Sequence, residues 1–496
     1  MDSRKPTGDY EVIIGMEVHA QLDTKSKMFC GCRADVFGAE PNTLVCPVCL
    51  GMPGVLPVIN RRAVECTIMT GLALNCSIAE FSRFARKNYN YPDLVKGYQI
   101  SQYELPLCHN GWLEIEADDT TKRVRIERVH LEEDTGKLFH MGTYSLVDYN
   151  RSGVPLMEIV SEPDMRSAAE AYAYLTKLRQ ILRYLGVSSG DMEKGAMRCE
   201  VNVSLRPAGT ETLGTKVEIK NLNSFRSVKM ALEYEIQRQA EILDKGGTVE
   251  QVTMGWDEER QRTVVQRSKE FAHDYRYFPE PDLPPLEISR EWVAEIRAQL
   301  PELPDAKCDR FVAQYGLSVY DATVLSAERE VADYFENCVA LYPQAKTVAN
   351  WISGEIFRRM NEAGLSITEI KVTPQGLAGL LNLVEKGAIN LNTARRVFIE
   401  MLESGRSAEA IVAEQGLAQM SDIETLERIV DEVLAANPDQ VQQYLAGKET
   451  VARWLVGQVM KATQGKANPQ LVNKSLSEKL QALQRLREDK KSATHL

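Results

Sequence analysis

Nine residues, Tyr277-Phe278-Pro279-Glu280-Pro281-Asp282-Leu283-Pro284-Pro285, divide this chain of 496 residues into two kinds of sequence. Four of the nine are proline, which lacks an amide hydrogen and fixes φ, so neither a helix nor a central strand can run through them. Upstream, to about Ser289, the apolar residues recur with period two in short runs. From about Arg290 onward the pattern turns helical and stays so. A chain of this length outgrows one hydrophobic core, and two or three domains are expected.

The upstream part mixes strands and helices without a regular βαβ beat, which predicts an α+β fold. Arg198 to Leu205 alternates strictly: Cys199, Val201, Val203 and Leu205 fall on one face, and Arg198, Glu200, Asn202 and Ser204 on the other. Lys216-Val217-Glu218-Ile219-Lys220 repeats the pattern. Two such strands suit the floor of an open antiparallel sheet, or a sheet face that merely meets water. Ala168 to Leu185 reads as a helix closed by Gly186, and Ser224 as the N-cap of another that ends before Gly246-Gly247. Downstream, Trp292 to Leu300, Asp333 to Leu341, Val348 to Met360 and Pro374 to Lys386 read as helices.

Metal-ligand chemistry concentrates between Tyr10 and Asn60. Cys30-x-Cys32 and Cys46-x-x-Cys49 are two short-spaced pairs flanked by Gly31 and Gly51, a knuckle-like pattern that aims four thiolates at one tetrahedral zinc; the alternative is free buried thiols. Four thiolates close the coordination shell, so such a zinc would be structural. The other six cysteines are scattered singly, as buried thiols in a reducing compartment are. Glu17 and His19, spaced i, i+2 on a strand, project from one face and could meet one ion or substrate, or simply form a polar face. Further acids follow in His130-Leu131-Glu132-Glu133-Asp134 and in Leu156-Met157-Glu158-Ile159-Val160. Glu158 sits inside an apolar run, where an unpaired carboxylate is costly; a cation or an ion pair to Arg151 would each satisfy it.

Several functions are excluded or left without a device. No apolar run spans a bilayer and the N-terminus has no apolar leader, so a cytosolic protein is expected. There is no phosphate-binding GxxxxGK[ST] loop and no obvious nucleophile. The net charge of −11 argues against a chain that coats nucleic acid. That average hides a gradient: 401–446 carries two basic and nine acidic residues, 447–496 ten basic and four acidic. A basic tail can bind a phosphate backbone, or be a solvated helix surface.

Taken together, these motifs resemble the B subunits of the tRNA-dependent amidotransferases (GatCAB). The resemblance runs end to end, through Gly15-Met16-Glu17-Val18-His19, Arg86-Lys87-Asn88-Tyr89, His130 to Asp134, Arg151 to Asp164, Asp274 to Asp282, Val456 to Lys461 and Gly465 to Pro469. It implies an ATP-dependent carbon–nitrogen ligase with glutamine as amide donor. The side chain of Glu-tRNA(Gln) or Asp-tRNA(Asn) would be activated as an acyl phosphate, and ammonia from an A subunit would displace the phosphate. A C subunit would complete a heterotrimer. By the same resemblance Glu17, His19, Glu133 and Glu158 hold Mg²⁺, Lys87 and Arg151 contact ATP or substrate, Cys30, Cys32, Cys46 and Cys49 hold structural Zn²⁺, and Lys461 and Lys466 contact tRNA. The implied architecture is a cradle-like antiparallel-sheet catalytic domain (1–292), an all-α helical domain (293–408) and a helical YqeY-like tail (409–496). A non-catalytic, zinc-containing tRNA-binding scaffold is the rival reading.

Overall fold

The computed structural model describes residues 10–268, 275–418, 423–463 and 467–493. The chain forms two compact units, Met1–Lys307 and Cys308–Leu496. In the first, nine strands make one sheet. In chain order they are β1 (Tyr10–Gln21), β2 (Ser77–Ile78), β3 (Cys108–Ala117), β4 (Thr120–Glu133), β5 (Pro155–Ser161), β6 (Met197–Pro207), β7 (Val217–Lys220), β8 (Val252–Asp257) and β9 (Arg262–Ser268). Their spatial order is β9-β8-β7-β6-β1-β5-β4-β3-β2. The expected antiparallel sheet needs one correction: β7 and β8 run parallel. The connection between them is a 20-residue helix, Phe225–Asp244, which returns the chain to the sheet's starting edge, as a parallel pair requires.

The alternation in β6 does what the sequence predicts. Cys199, Val201, Val203 and Leu205 are buried, and with Ile14, Met16, Val18 and Ala20 of β1 they face the helical layer. That layer is α1 (Arg61–Ala73), α2 (Ala168–Leu185) and α3 (Phe225–Asp244). Both predicted stop and start signals hold. Gly186 closes α2 in the left-handed region at φ 63°, which glycine adopts without strain, and Ser224 caps α3 by accepting from Ser227 N at 3.0 Å. Tyr174, Leu175 and Leu178 of α2 are fully buried against the sheet. Truncating Leu178 to alanine would cost about 3 kcal/mol, the range for a buried leucine.

The proline-rich segment folds back onto the first unit. Phe278–Pro279 pairs with Ala85–Asn88, which pairs in turn with Tyr98–Ser101, and Leu286–Glu287 pairs with Phe81–Ser82. Arg86 fixes this return with a two-pronged grip on Glu280, at 2.7 and 2.8 Å. Beyond it, Arg290–Ala298 is a helix whose Ile296 is buried in the first core, and Leu300 and Leu303 pack there too.

The second unit is helical. One core runs from Phe311 to Val412 and another from Leu426 to Leu480. The helix Ala408–Glu414 belongs to the former, through Ala408, Ile411 and Val412. The expected helix at 348–360 is built from Ala345–Trp351, a wider π turn at Ile352–Ile356, and Phe357–Ala363. Among the described residues, no helix is long and apolar enough to cross a membrane.

Candidate active site and four-cysteine centre

The face of the sheet turned away from the helices carries the ionisable residues, and strand register decides which of them meet. His19 of β1 lies opposite Glu158 of β5, which lies opposite His130 of β4. Side chains alternate along a strand, so His130 and Glu132 share this face, while Leu131 and Glu133 share the other. His19 Nε2 is 3.3 Å from Glu158 and 3.5 Å from Glu132, and His130 Nε2 is 3.5 Å from Glu158. His19, Glu132 and Glu158 each place a ligand atom within 4.8 Å of the others. Glu133 is therefore not in this group, contrary to the expectation; it points to the helical side, where it pairs with Lys96 Nζ and accepts from Ile100 N at 3.0 Å.

Glu17 also parts from the expected set. It is one pleat repeat from His19 and faces Glu200 of β6, so it joins a second group, Glu17, Glu200 and Glu218. Asn202 Nδ2 donates to Glu17 at 3.0 Å, and Lys220 Nζ to Glu200 at 2.7 Å. Both groups line one cavity of about 420 Å³. A neighbouring cavity of about 260 Å³ shares Glu17, Glu127, Val160 and Lys216 with it, so the two form a continuous trough.

The electrostatics of the trough are those of crowded acids waiting for cations. Burial lifts Glu132 to about 7, with the Glu158 charge adding to it. Glu17 is likewise raised, by burial first and by Glu158 next. Burial opposes charge on His19, but its hydrogen bond to Glu158 and the nearby carboxylates outweigh this and carry the imidazole up to about 9. Burial pushes His130 down to about 4. On Glu158 burial acts upward, and the facing imidazoles and Lys87 overcome it, holding the carboxyl well below its ordinary value.

Lys87, on the strand Ala85–Asn88, does reach the cavity, with Nζ 4.8 Å from the Tyr275 ring centroid. Tyr103 and Tyr277 stack at 4.4 Å on its wall. Arg151 does not line the cavity. Its Nε and Nη2 donate to the carbonyls of Thr135 and Gly136 at 2.9 and 2.7 Å, and Nε lies 3.7 Å from Asp134. It is thus no partner of Glu158, whose nearest guanidinium is that of Arg128 at 3.7 Å.

The donor sets fit the expected ions. Two carboxylates and an imidazole at hydrogen-bond spacing suit a small hard cation that keeps room for phosphate and water. On the knuckle, Cys30, Cys32, Cys46 and Cys49 bring their sulfurs within 4.8 Å of one another. Cys46 Sγ and Cys49 Sγ are 3.9 Å apart, against about 3.8 Å for a tetrahedral zinc with 2.3 Å bonds. The thiol of Cys49 is held down at about 4, first by its hydrogen bond from Cys30, whereas burial raises Cys32 to about 11. Lys461 is exposed near the end of the helix Thr450–Ala462; Lys466, like Asp274, lies outside the described residues.

Sequence reasoning missed Glu132, Glu218, His130 and Lys220 as members of the site. The alternation of Arg128, His130 and Glu132 with the buried Val129 and Leu131 was the signal that singles out Glu132.

Comparison with known proteins agrees with the resemblance. The model of the GatB/GatE catalytic domain matches residues 12–294, and that of a GatB domain matches residues 333–480. The chain is 58% identical over 476 residues to the B subunit of the aspartyl/glutamyl-tRNA(Asn/Gln) amidotransferase of Moorella thermoacetica, covering 95% of this chain and 100% of that one. It is 56% identical over 480 residues to the protein of the same description from Carboxydothermus hydrogenoformans (96% and 100% covered). The Geobacter sulfurreducens protein is also 56% identical, over 477 residues (95% and 99% covered).

Proposed function

The chain belongs to the GatB family of amidotransferase B subunits, and on that premise we propose that its trough is the ATP-dependent site of an amidotransferase acting on misacylated tRNA. The observation that carries this reading is the convergence of His19, Glu132 and Glu158 on the floor of an open cavity walled by Lys87 and tyrosines. The substrate class comes from the relatives' printed name, and such a protein works in the cytoplasm beside translation.

In this reading the side-chain carboxylate of Glu-tRNA(Gln) or Asp-tRNA(Asn) attacks the γ-phosphorus of ATP, ADP leaves, and an acyl phosphate forms. Ammonia then adds to the acyl carbon, phosphate departs, and the surplus proton is lost, leaving the amide. Mg²⁺ held by His19, Glu132 and Glu158 supplies charge neutralisation to the phosphate oxygens during transfer. Lys87 Nζ, buried beside the acids, is placed to orient an anionic group, and the Tyr103–Tyr277 stack offers a flat apolar wall for a base. Glu17, Glu200 and Glu218 form a second anionic pocket along the same trough, suited to a further cation that accompanies the nucleotide. The chain's lack of a nucleophile for glutamine hydrolysis fits an A subunit that supplies ammonia, with a C subunit completing the complex. Lys461 and the basic tail are assigned to the tRNA backbone.

The test is reconstitution with the A and C subunits and measurement of phosphate release and amide formation on both misacylated tRNAs. Glu158→Ala should retain tRNA binding and abolish tRNA-dependent phosphate release from ATP. Unchanged turnover would overturn the assignment and leave the scaffold reading standing.

A further inference from the structure

Lys27 is among the largest fully buried side chains of the protein, at 1% exposure. A lysine is almost never buried to that degree without a partner for its charge. Among the described residues Lys27 forms no ion pair with a carboxylate; its Nζ donates instead to Cys49 Sγ, at 3.6 Å. The placement is built, not incidental. Lys27 N donates to Cys32 O at 2.9 Å, tying the segment to the first cysteine pair, and Asn60 Nδ2 holds Lys27 O at 3.2 Å. Gly153 closes over the stem: a Cβ there would lie 3.7 Å from Lys27 Cδ and 3.5 Å from Cys49 Cβ.

We propose that Lys27 is a positioning residue of the four-cysteine centre, its buried ammonium donating to the Cys49 sulfur and offsetting part of the negative charge that four thiolates carry around a divalent ion. Four thiolates and one divalent ion leave two negative charges in a half-buried loop, and Lys27 cancels one of them. Groups that donate to metal-bound ligands tune both affinity and the electronic character of the ligand. The inference rests on the zinc reading above, and the experiment separates the two.

Zinc content of the full-length chain is measured first; a wild-type chain without zinc removes the centre and this inference with it. With zinc present, Lys27→Met should still load one ion but lose it to a chelator about tenfold faster or more, the usual scale for loss of such a donor. After cobalt substitution its sulfur-to-cobalt charge-transfer band should move to lower energy, because a sulfur relieved of a donor gives up charge more readily. A purely packing role would not move that band. If Lys27→Met does not fold, Lys27→Gln serves the same comparison. Wild-type zinc retention together with an unshifted band, in either variant, overturns the role of Lys27 while leaving the zinc centre in place.

Discussion

Glu132 and Glu133 are adjacent in sequence and point to opposite faces of the sheet, so replacing each by glutamine in turn tests the site directly. Glu132 is 2% exposed and 3.5 Å from His19 Nε2, among the atoms that would receive the ion. At about 3.5 Å and an effective dielectric constant near 20, two unit charges interact by roughly 5 kcal/mol. The metal carries two charges, which enlarges the loss, while the amide oxygen of glutamine and the relief of crowding with Glu158 return part of it. A net weakening of at least about 3 kcal/mol, more than a hundredfold in the dissociation constant, is expected for Glu132→Gln. Glu133→Gln removes a charge that serves Lys96 on the far side of the sheet, so it should leave metal affinity within about threefold of wild type. Binding of Mn²⁺ followed by electron paramagnetic resonance, with the Mg²⁺ dependence of phosphate release alongside, reads both variants. Normal Mn²⁺ affinity in Glu132→Gln and loss in Glu133→Gln would refute the strand-parity argument and restore the set first expected.

Other consequences are smaller in scope. Asp134, 3% exposed, has its pKa driven down to about 2: burial acts upward but Arg198 and Arg151 overcome it. The folded value is the lower, so its stabilisation is complete above pH 4 and drains away as pH falls through 2; the drop from 3.8 to about 2 is worth roughly 2.5 kcal/mol. In denaturant titrations the stability gap between wild type and Asp134→Asn should narrow by about that much between pH 5 and pH 2; a constant gap would contradict the ion-pair account. Arg151→Ala should lower the melting temperature but leave the KM for ATP within about twofold, since its guanidinium serves the 135–136 carbonyls; a tenfold KM rise would return it to the active site. A chain ended after Ala418 keeps the second core whole, including Ile411 and Val412, and should show a KM for tRNA raised at least tenfold with the KM for ATP unchanged. Normal tRNA affinity in that variant would detach the tail from RNA binding.

The parts of the fold written in short-range signals could be read from the chain alone. The alternation of β6 and the caps at Gly186 and Ser224 depend on residues within a few positions of each other, and each appears where expected. What escaped depends on pairing at long range. The grip of Arg86 on Glu280 joins residues 194 positions apart, and it turns a proline-rich stretch that reads as a domain exit into an edge strand of the first unit. Proline suits that position because an edge strand leaves one row of amides without ladder partners.

The active site shows the same limit in sharper form. In β4 the parity was present: Val129 and Leu131 are buried in the core, so the acid two residues after His130 must be the one that shares its face. The doublet Glu132-Glu133 hid this, because either acid satisfies a motif and only one satisfies the pleat. In β5 no parity could be read at all. Every residue from Pro155 to Ser161 is buried, since the strand lies in mid-sheet between β1 and β4, and a run apolar on both faces carries no alternation. Glu158 therefore announced that it needed a partner without indicating which. Arg151, seven residues before it, was the natural local candidate, but strands settle such questions by cross-strand register, and register sets Glu158 between His19 and His130. An intermediate-range ion pair and a metal ligand make the same demand on a sequence, and only the neighbouring strands distinguish them.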